Sequence, residues 1–430
     1  MDTLIILMVL FFVFLLLNVP IAIVILFISI IGIFFEGISQ VIVTQHMINS
    51  ISSETFLCVP LYIFAGILMS GSGVSQRIFD FALSLIGHVK GGLGYVNVLG
   101  SMIFAGVSGS ATADAAGLGR IEIDAMNHAG YDIDFSAAVT AASSIIGPII
   151  PPSIHFVIYA TVAEVPVAAL LIAGLVPGIL MGLIMMLLIY VMIRMGKVKC
   201  PTQHDKFSFR RVIIKLKEGF WSIIAPGIIV GGIMSGIVTA TEAGITAVLY
   251  TLIVGLFIYK TLNFKNILKS LEETLYSLGV VSFMVAVAKV FTWYITIKNV
   301  PRMFYEAVLS NTDSLVFLWL MTGILLFILG MFATASANIV LITPILLPLF
   351  NKFGVDPIHL GVVIVFGLVI GIITPPVGTS LYIVADVAKI SFERVARSTM
   401  VFLIPLILCW LALMFIPSLS VFVPKYLGLY

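Results

Sequence analysis

The stretch that decides the fold is Gly147-Pro148-Ile149-Ile150-Pro151-Pro152-Ser153, and it recurs in altered form as Gly371-Ile372-Ile373-Thr374-Pro375-Pro376-Val377-Gly378. These stretches end two longer units, residues 106–152 and residues 330–376. The two units align without a gap at a constant offset of 224 residues, and 13 of 47 aligned positions are identical. The identities include glycines, an aspartate and both prolines, so apolar composition alone does not explain them. The sequence therefore predicts an internal duplication.

Composition predicts a membrane protein. Of the 430 residues, 61% are apolar and only 10% are charged, and the mean hydropathy is +1.22. A soluble domain carries about 25% charged residues. Apolar runs long enough to cross a bilayer recur along the chain, so we expect an all-α polytopic protein. The three cysteines are scattered, which argues against a disulfide framework or a metal cluster.

The duplication divides the chain into two repeats. In each, short apolar segments around a small polar tip predict a re-entrant hairpin, and the prolines predict a helix broken in the middle. The first repeat is 1–196, with scaffold helices in 1–90, the hairpin and broken helix in 91–163 and a long helix in 165–196. The basic cytoplasmic linker is 197–219. The second repeat is 220–430, with scaffold helices in 220–297, the hairpin and broken helix in 314–385 and the final helix in 400–417.

The distribution of basic residues predicts that the two repeats have opposite orientations. Segment 36–54 has no Lys or Arg, whereas its partner 260–269 has three. Cytoplasmic loops are enriched in Lys and Arg. Inverted repeats place matching loops on opposite sides, whereas parallel repeats place them on the same side. If 197–219 lies on the cytoplasmic side, both termini lie on the opposite side of the membrane, and five of the 22 basic residues lie outside the cytoplasmic segments. These five are Lys289, Lys298, Arg302, Lys352 and Lys425.

The two tips supply the predicted chemistry. Side-chain oxygens recur in both at aligned positions, and the small residues between them let backbones approach closely. Together with carbonyls freed by the proline breaks, such oxygens are typical of a Na⁺ site in a secondary transporter. The predicted ligands from the tips are Ser108, Ser110, Thr112, Asp114, Thr334, Ser336 and Asn338.

The same residues have a plainer explanation, because small and hydroxyl residues also let membrane helices pack closely. Two aligned tips, each followed at the same distance by a Pro-Pro break, favour the transport site. Asp114 is predicted to be functional, because a carboxylate at membrane depth is costly. Its aligned partner is Asn338. The two sites are therefore expected to differ chemically.

These motifs resemble the large membrane subunit of the tripartite ATP-independent periplasmic (TRAP) transporters, and the resemblance covers essentially the whole chain. It is strongest in Gly130-Tyr131-Asp132, Ala137 to Ser153, Thr241-Glu242-Ala243 and Gly371 to Gly378. The resemblance implies an elevator mechanism, in which two hairpins and two broken helices slide against a scaffold. It implies Na⁺-driven uptake of an anionic organic acid: sialic acid, another sugar acid or a C4-dicarboxylate.

The resemblance also implies partners, a location and further site residues. The expected partners are a small four-helix membrane subunit, a periplasmic substrate-binding protein and the lipid bilayer. The expected location is the bacterial inner membrane, and nucleic acid is not expected. Substrate is expected between the tips, near Ser108, Ser153, His155, Arg120 and Thr379. Each break is expected to add Na⁺ ligands, namely Gly147, Ile150, Gly371, Thr374 and Gly378.

Several other polar residues need interpretation, and most of them have more than one. The run Arg120-Ile121-Glu122-Ile123-Asp124 predicts a solvated cytoplasmic end, or Arg120 meets a substrate carboxylate. Lys289 has a substrate role, extends to the interface, or contacts the small subunit. His155 lines the cavity or is simply packed. The spacing Thr239-x-x-Glu242 predicts a structural capping box.

Three other functions remain open on residues alone. The nearest is a standalone Na⁺/dicarboxylate symporter that needs no binding protein. An intramembrane enzyme is disfavoured, because the sequence has no zinc-protease, nucleotide-loop or paired-aspartate motif. A channel is also disfavoured, since broken helices and a buried acid fit an alternating site better than an open pore. The sequence does not name the substrate or the number of Na⁺ ions.

Overall fold

The computed structural model describes residues 6–7, 9–11, 13–14, 17, 19–198, 207–300, 302–303, 306 and 314–430, and its regular structure there is entirely helical. Asn18, within the first predicted scaffold segment, and residues 199–206 of the predicted linker lie outside this set. The first-repeat helices are α1 Ile21–Phe35, α2 Val41–Ile51, α3 Cys58–Gly71, α4 Val74–Ile86, α5 Gly92–Ser108, α6 Ala111–Ala116, α7 Leu118–His128, α8 Ile133–Ser144, α9 Ile154–Ala163, α10 Val167–Ala173 and α11 Leu175–Arg194. The second-repeat helices are α12 Phe209–Met234, α13 Ala240–Ile253, α14 Phe264–Ile297, α15 Leu315–Phe332, α16 Ala335–Lys352, α17 Pro357–Gly371, α18 Thr379–Ala388, α19 Phe392–Phe415 and α20 Ser418–Tyr426.

The duplication is visible in how matching helices begin and end. Gly130 and Gly354, with φ of 85° and 71°, adopt the left-handed conformation, and each ends the second arm of its own hairpin. Two residues later, Asp132 and Asp356 cap α8 and α17 through side chains that accept backbone N–H bonds of 3.0 and 2.9 Å. In the Gly-x-Asp pattern of both repeats, the glycine therefore ends one helix and the aspartate caps the start of the next.

Contacts between the repeats fit opposite orientations. Arg394, in the first turn of α19 that follows α18, forms a 2.9 Å ion pair with Asp134 at the start of α8. The hydroxyl of Tyr159, in the middle of α9, donates a 2.9 Å hydrogen bond to the carbonyl of Pro357 at the start of α17. The start of each broken helix thus lies near the second half of the other or the helix that follows it, as expected for an antiparallel pair.

The helices form two groups. Helix α14 packs against α1, α2 and α3, while α13 packs on α3 and α12 on α4. We call this group the scaffold. The hairpins and broken helices form the second group, in which α6 packs on α18 and α9 on α16. We call it the hairpin body. It meets the scaffold at α9 and α16, which pack on α14, and at α5, which packs on α3, α4 and α12.

Some boundaries differ from the sequence predictions. Helix α12 begins at Phe209, inside the segment predicted as a linker, because Ser208 caps it by accepting the Arg211 N–H at 3.4 Å. Helices α3 and α4 form a bent pair at 69°. Among described residues, six helices are long and apolar enough to span a bilayer, or seven if this pair counts as one span. The helices beside the breaks are shorter, so each crosses only together with its partner.

Candidate substrate and cation site

The first hairpin tip lies directly against the break of its own repeat. Helix α5 ends at Ser108, and Gly109 turns the chain with φ of 59°. A Cβ on Gly109 would lie 2.2 Å from the Pro152 carbonyl oxygen, and one on Gly147 would lie 3.2 Å from the Ser110 backbone. Only glycine permits this approach.

The second tip repeats the arrangement with other residues. Thr334 caps α16 as Ser110 caps α6, each hydroxyl accepting a backbone N–H at 3.4 Å. A Cβ on Gly371 would lie 2.4 Å from the Cα of Gly330, so the two backbones touch. The Gly378 N–H donates to the Met331 carbonyl at 3.4 Å. Both tips therefore contact the break of their own repeat.

Polar oxygens near the first tip are buried without full hydrogen bonding. Asp114 is 1% exposed and Ser108 is 4% exposed, and neither carboxylate oxygen nor the Ser108 hydroxyl makes a hydrogen bond of ordinary geometry among described residues. The polar neighbours of the Asp114 carboxylate are Ser101 and Glu122. Burial without a partner is unfavourable for a hydroxyl and more so for a carboxylate. A bound cation would satisfy the Asp114 carboxylate, so this residue fits Na⁺.

The second tip is more fully bonded. The Asn338 amide donates to the carbonyls of Leu329 at 2.8 Å and Ala333 at 3.3 Å, which ties the tip to α15. Its side-chain oxygen is buried and has no partner among described residues. Neutral Asn338 therefore offers one side-chain oxygen at the position where Asp114 offers a charged pair, and the expected chemical difference between two Na⁺ sites stays a prediction.

The carbonyls of the second break are also more fully hydrogen-bonded than those of the first. The carbonyls of Gly147 and Ile150 accept none of the described hydrogen bonds. The Gly371 carbonyl accepts the Thr374 N–H at 3.0 Å, and the Gly378 carbonyl accepts the Leu381 N–H at 2.8 Å. The Thr374 hydroxyl donates to Ile370, at 2.8 Å. Both Pro-Pro bonds are cis.

The other predicted Na⁺ ligands are more accessible. Thr112 is exposed and its hydroxyl lies 3.0 Å from that of Ser110. The aligned Ser336 is half-buried. These hydroxyls lie at the open side of their tips, and their role as ligands stays a prediction.

The predicted substrate residues do not form one cluster by their contacts. The Ser153 hydroxyl donates to the Pro148 carbonyl and accepts the Phe156 N–H at 3.2 Å, so it is engaged as the cap of α9. His155 and Thr379 are half-buried at the starts of α9 and α18, just after the two breaks. Arg120 is exposed on α7. Their predicted contact with substrate remains untested.

Two buried groups were not expected. Ser380, just after the second break, is 0% exposed and its hydroxyl has no partner among described residues. Glu122 is 1% exposed, so the expectation of a solvated end is wrong for this residue, although Arg120 and Asp124 are exposed. A Cβ on Gly100 would lie 2.9 Å from a Glu122 carboxylate oxygen, which shows that Glu122 points inward against α5. Only the small residue at position 100 hints at this in the sequence.

The fold and site define a multi-span helical transporter, not an enzyme. The YdaH transporter of Alcanivorax borkumensis matches the structure with a TM-score of 0.56 over 89% of this chain and 87% of that one, at 15% identity, which shows a shared fold. The sequence model for the DctM component of the tripartite ATP-independent periplasmic transporters matches residues 8–419. The chain belongs to this family.

Two curated relatives are large permease proteins of TRAP transporters. The sialic acid TRAP transporter large permease protein SiaM of Vibrio cholerae is 38% identical over 382 residues, covering 89% of this chain and 88% of that protein. The 2,3-diketo-L-gulonate TRAP transporter large permease protein YiaN of Escherichia coli is 34% identical over 387 residues, covering 90% of each. The chain is therefore a multi-pass membrane permease of a bacterial TRAP transporter for organic acids.

Proposed function

We propose that the protein couples inward Na⁺ movement to uptake of an anionic organic acid bound between the two tips. The observation that carries this proposal is the buried Asp114 carboxylate, which lies beside Ser101 and Glu122 and makes no hydrogen bond of ordinary geometry among described residues. Na⁺ is a hard cation that takes oxygen ligands, and its charge offsets both Asp114 and a substrate carboxylate. The second tip, with Asn338 and the Thr374 carbonyl, binds a second Na⁺ at a neutral site.

The division into scaffold and hairpin body supports an elevator mechanism. Each tip touches its own break, while α6 and α9 pack on helices of the other repeat. Because these contacts lie inside the hairpin body, the loaded body moves as one unit against α14. The tips open only when the site faces one side of the membrane.

The substrate we favour is a sialic-acid-like sugar acid, in line with the name of the SiaM relative. A C4-dicarboxylate is the second candidate. A periplasmic binding protein delivers the acid, and a small four-helix membrane subunit packs on the scaffold. The basic segment 197–219 faces the cytoplasm of the bacterial inner membrane, and both termini face the periplasm.

Reconstituted transport tests the proposal. The permease, its small subunit and its binding protein are placed in liposomes, and uptake of labelled N-acetylneuraminate or succinate is followed with an inward Na⁺ gradient. We expect saturable uptake that stops when choline replaces Na⁺ and when the binding protein is omitted. Uptake without the binding protein would identify a standalone symporter, and uptake unchanged in choline would refute Na⁺ coupling.

A further inference from the structure

A polar cavity lies where the scaffold meets the first repeat, away from both tips. Its volume is about 490 Å³, within the range of small-molecule sites. The walls come from the end of α2, from α14 and from the turn after α9. Its polar lining includes Asn49, Ser53, Thr161, Glu164, Lys289 and Thr292. The cavity therefore joins the two groups of helices that are proposed to move against each other.

One ion pair crosses this cavity. The Lys289 ammonium of α14 contacts the Glu164 carboxylate, and the two side chains are 34% and 70% exposed. Lys289 lies eight residues before the end of α14, or about 12 Å along the helix axis. A lysine at such depth is costly and usually has a function. Because the pair faces open space, another anion can reach the same ammonium.

The backbone presents the Glu164 carboxylate in an unusual way. Glu164 ends α9 in the left-handed conformation, with φ of 56°. Glycine or asparagine is usual there, and a longer residue is uncommon. The matching position after α18 is Lys389, with φ of 55°. A charged side chain thus stands at both caps, although backbone preference alone would select glycine.

Among the described residues that line the cavity, Glu164 is the only acidic one, so Lys289 is left without a counter-charge there once Glu164 moves. His46 of α2 also lies near Lys289, and burial, followed by the Lys289 charge, lowers the pKa of His46, which favours its neutral form. The hydroxyls of Ser53, Thr161 and Thr292 donate to backbone carbonyls close by in the chain. None of these groups supplies a negative charge.

We infer that Lys289 binds the carboxylate of the incoming substrate, and that Glu164 occupies the ammonium until the substrate replaces it. This inference rests on the proposed uptake of an organic acid. The cavity lies near the C-terminal end of α14, as does the Lys298–Glu36 ion pair. The other end of α14 follows Thr261, which bonds to Ser72 just before α4, and α4 pairs through Asp80 with Lys215 of the basic segment. Lys289 is thus an entrance site on the side from which the binding protein delivers substrate.

Two substitutions at the same ion pair separate a carboxylate site from a simple contact. Lys289→Gln removes the ammonium and should raise the KM of the reconstituted transporter for N-acetylneuraminate or succinate at least tenfold. Glu164→Gln frees the ammonium and should lower the KM up to about fivefold. Lys289→Arg should retain most of the affinity. Glu36→Gln, which breaks the similar pair with Lys298 inside the scaffold, should change the KM less than about twofold.

A binding measurement keeps this test independent of Na⁺-driven uptake. The solubilised permease is heated with and without millimolar N-acetylneuraminate or succinate, and the shift in melting temperature is compared among the variants. We expect a smaller shift for Lys289→Gln and a larger one for Glu164→Gln. If both variants change in the same direction, or neither acid stabilises the wild type, the inference is wrong. If the shifts follow the expectation but uptake ignores Na⁺, only the proposed function fails.

Discussion

Replacing Asp114 with asparagine is expected to raise stability without Na⁺ and to remove most of the stabilisation by Na⁺. The carboxylate is 1% exposed and has no hydrogen-bond partner among described residues. An aspartate at the centre of a membrane helix costs about 2.5–3.5 kcal/mol on insertion scales. An unsatisfied neutral amide costs about 1–3 kcal/mol. In Na⁺-free buffer the variant should therefore be more stable by about 1 kcal/mol.

The response to Na⁺ should change in the other direction. A cation at one hundred times its Kd stabilises the folded protein by about 2.7 kcal/mol. Losing a charged ligand costs about 1.5–3 kcal/mol, which raises the Kd roughly 10- to 150-fold. At the same Na⁺ concentration, the variant should then gain about 1.3 kcal/mol or less. Asp114→Asn should thus lose at least half of the Na⁺ effect.

Thermal unfolding of the solubilised protein in NaCl and in choline chloride measures both changes. Glu122→Gln is the comparison variant, because Glu122 is equally buried and lacks a hydrogen bond of ordinary geometry among described residues, and the substitution keeps the Asp114 carboxylate. Because Glu122 interacts electrostatically with Asp114, the variant should gain stability in both salts and keep at least half of the Na⁺ shift. An Asp114→Asn protein with an undiminished Na⁺ shift would refute the assignment of Asp114 as a ligand.

Three further predictions test single contacts in the hairpin body and in the scaffold. Gly371→Ala places a Cβ 2.4 Å from the Gly330 backbone, so it should lower the free energy of unfolding by about 1–3 kcal/mol and slow uptake. Gly227→Ala, whose Cβ would have nothing within 4 Å, should change neither quantity. Equal effects of the two substitutions would contradict this tip contact. Thr239→Val removes the side chain that caps α13 and should cost about 0.5–2 kcal/mol in thermal stability while the Na⁺ response stays normal. Tyr159→Phe removes the hydrogen bond to Pro357 and should lower stability to denaturant by about 1 kcal/mol, so an unchanged midpoint would count against that contact.

Features that depend on local chemistry were predictable from the sequence. The capping box at Thr239 and Glu242 is present, with bonds of 2.8 Å and 3.2 Å closing it. The aligned Gly-x-Asp pattern marks where each hairpin arm ends and each broken helix begins. Turns, caps and prolines act within a few residues, so their signals survive without knowledge of the tertiary contacts.

Features that depend on packing were not predictable. The run that contains Glu122 looks solvated because three of its five residues are charged, yet the carboxylate turns inward where Gly100 leaves space on α5. The Ser153 hydroxyl, expected near substrate, is engaged as the cap of α9. Residue type reveals which atoms can bind a ligand, but only the neighbouring helices decide which of those atoms are already bonded.

The two halves of the site are alike in backbone and unlike in charge and access. Gly147 through Ser153 are buried, whereas Pro376 in the second break is exposed. The first tip carries Asp114, and the second carries Asn338, whose amide holds its own tip. A charged, enclosed site retains a cation more tightly than a neutral, open one. We therefore expect Na⁺ to occupy the first tip at lower concentration, and the second tip, where access is freer, to respond to substrate.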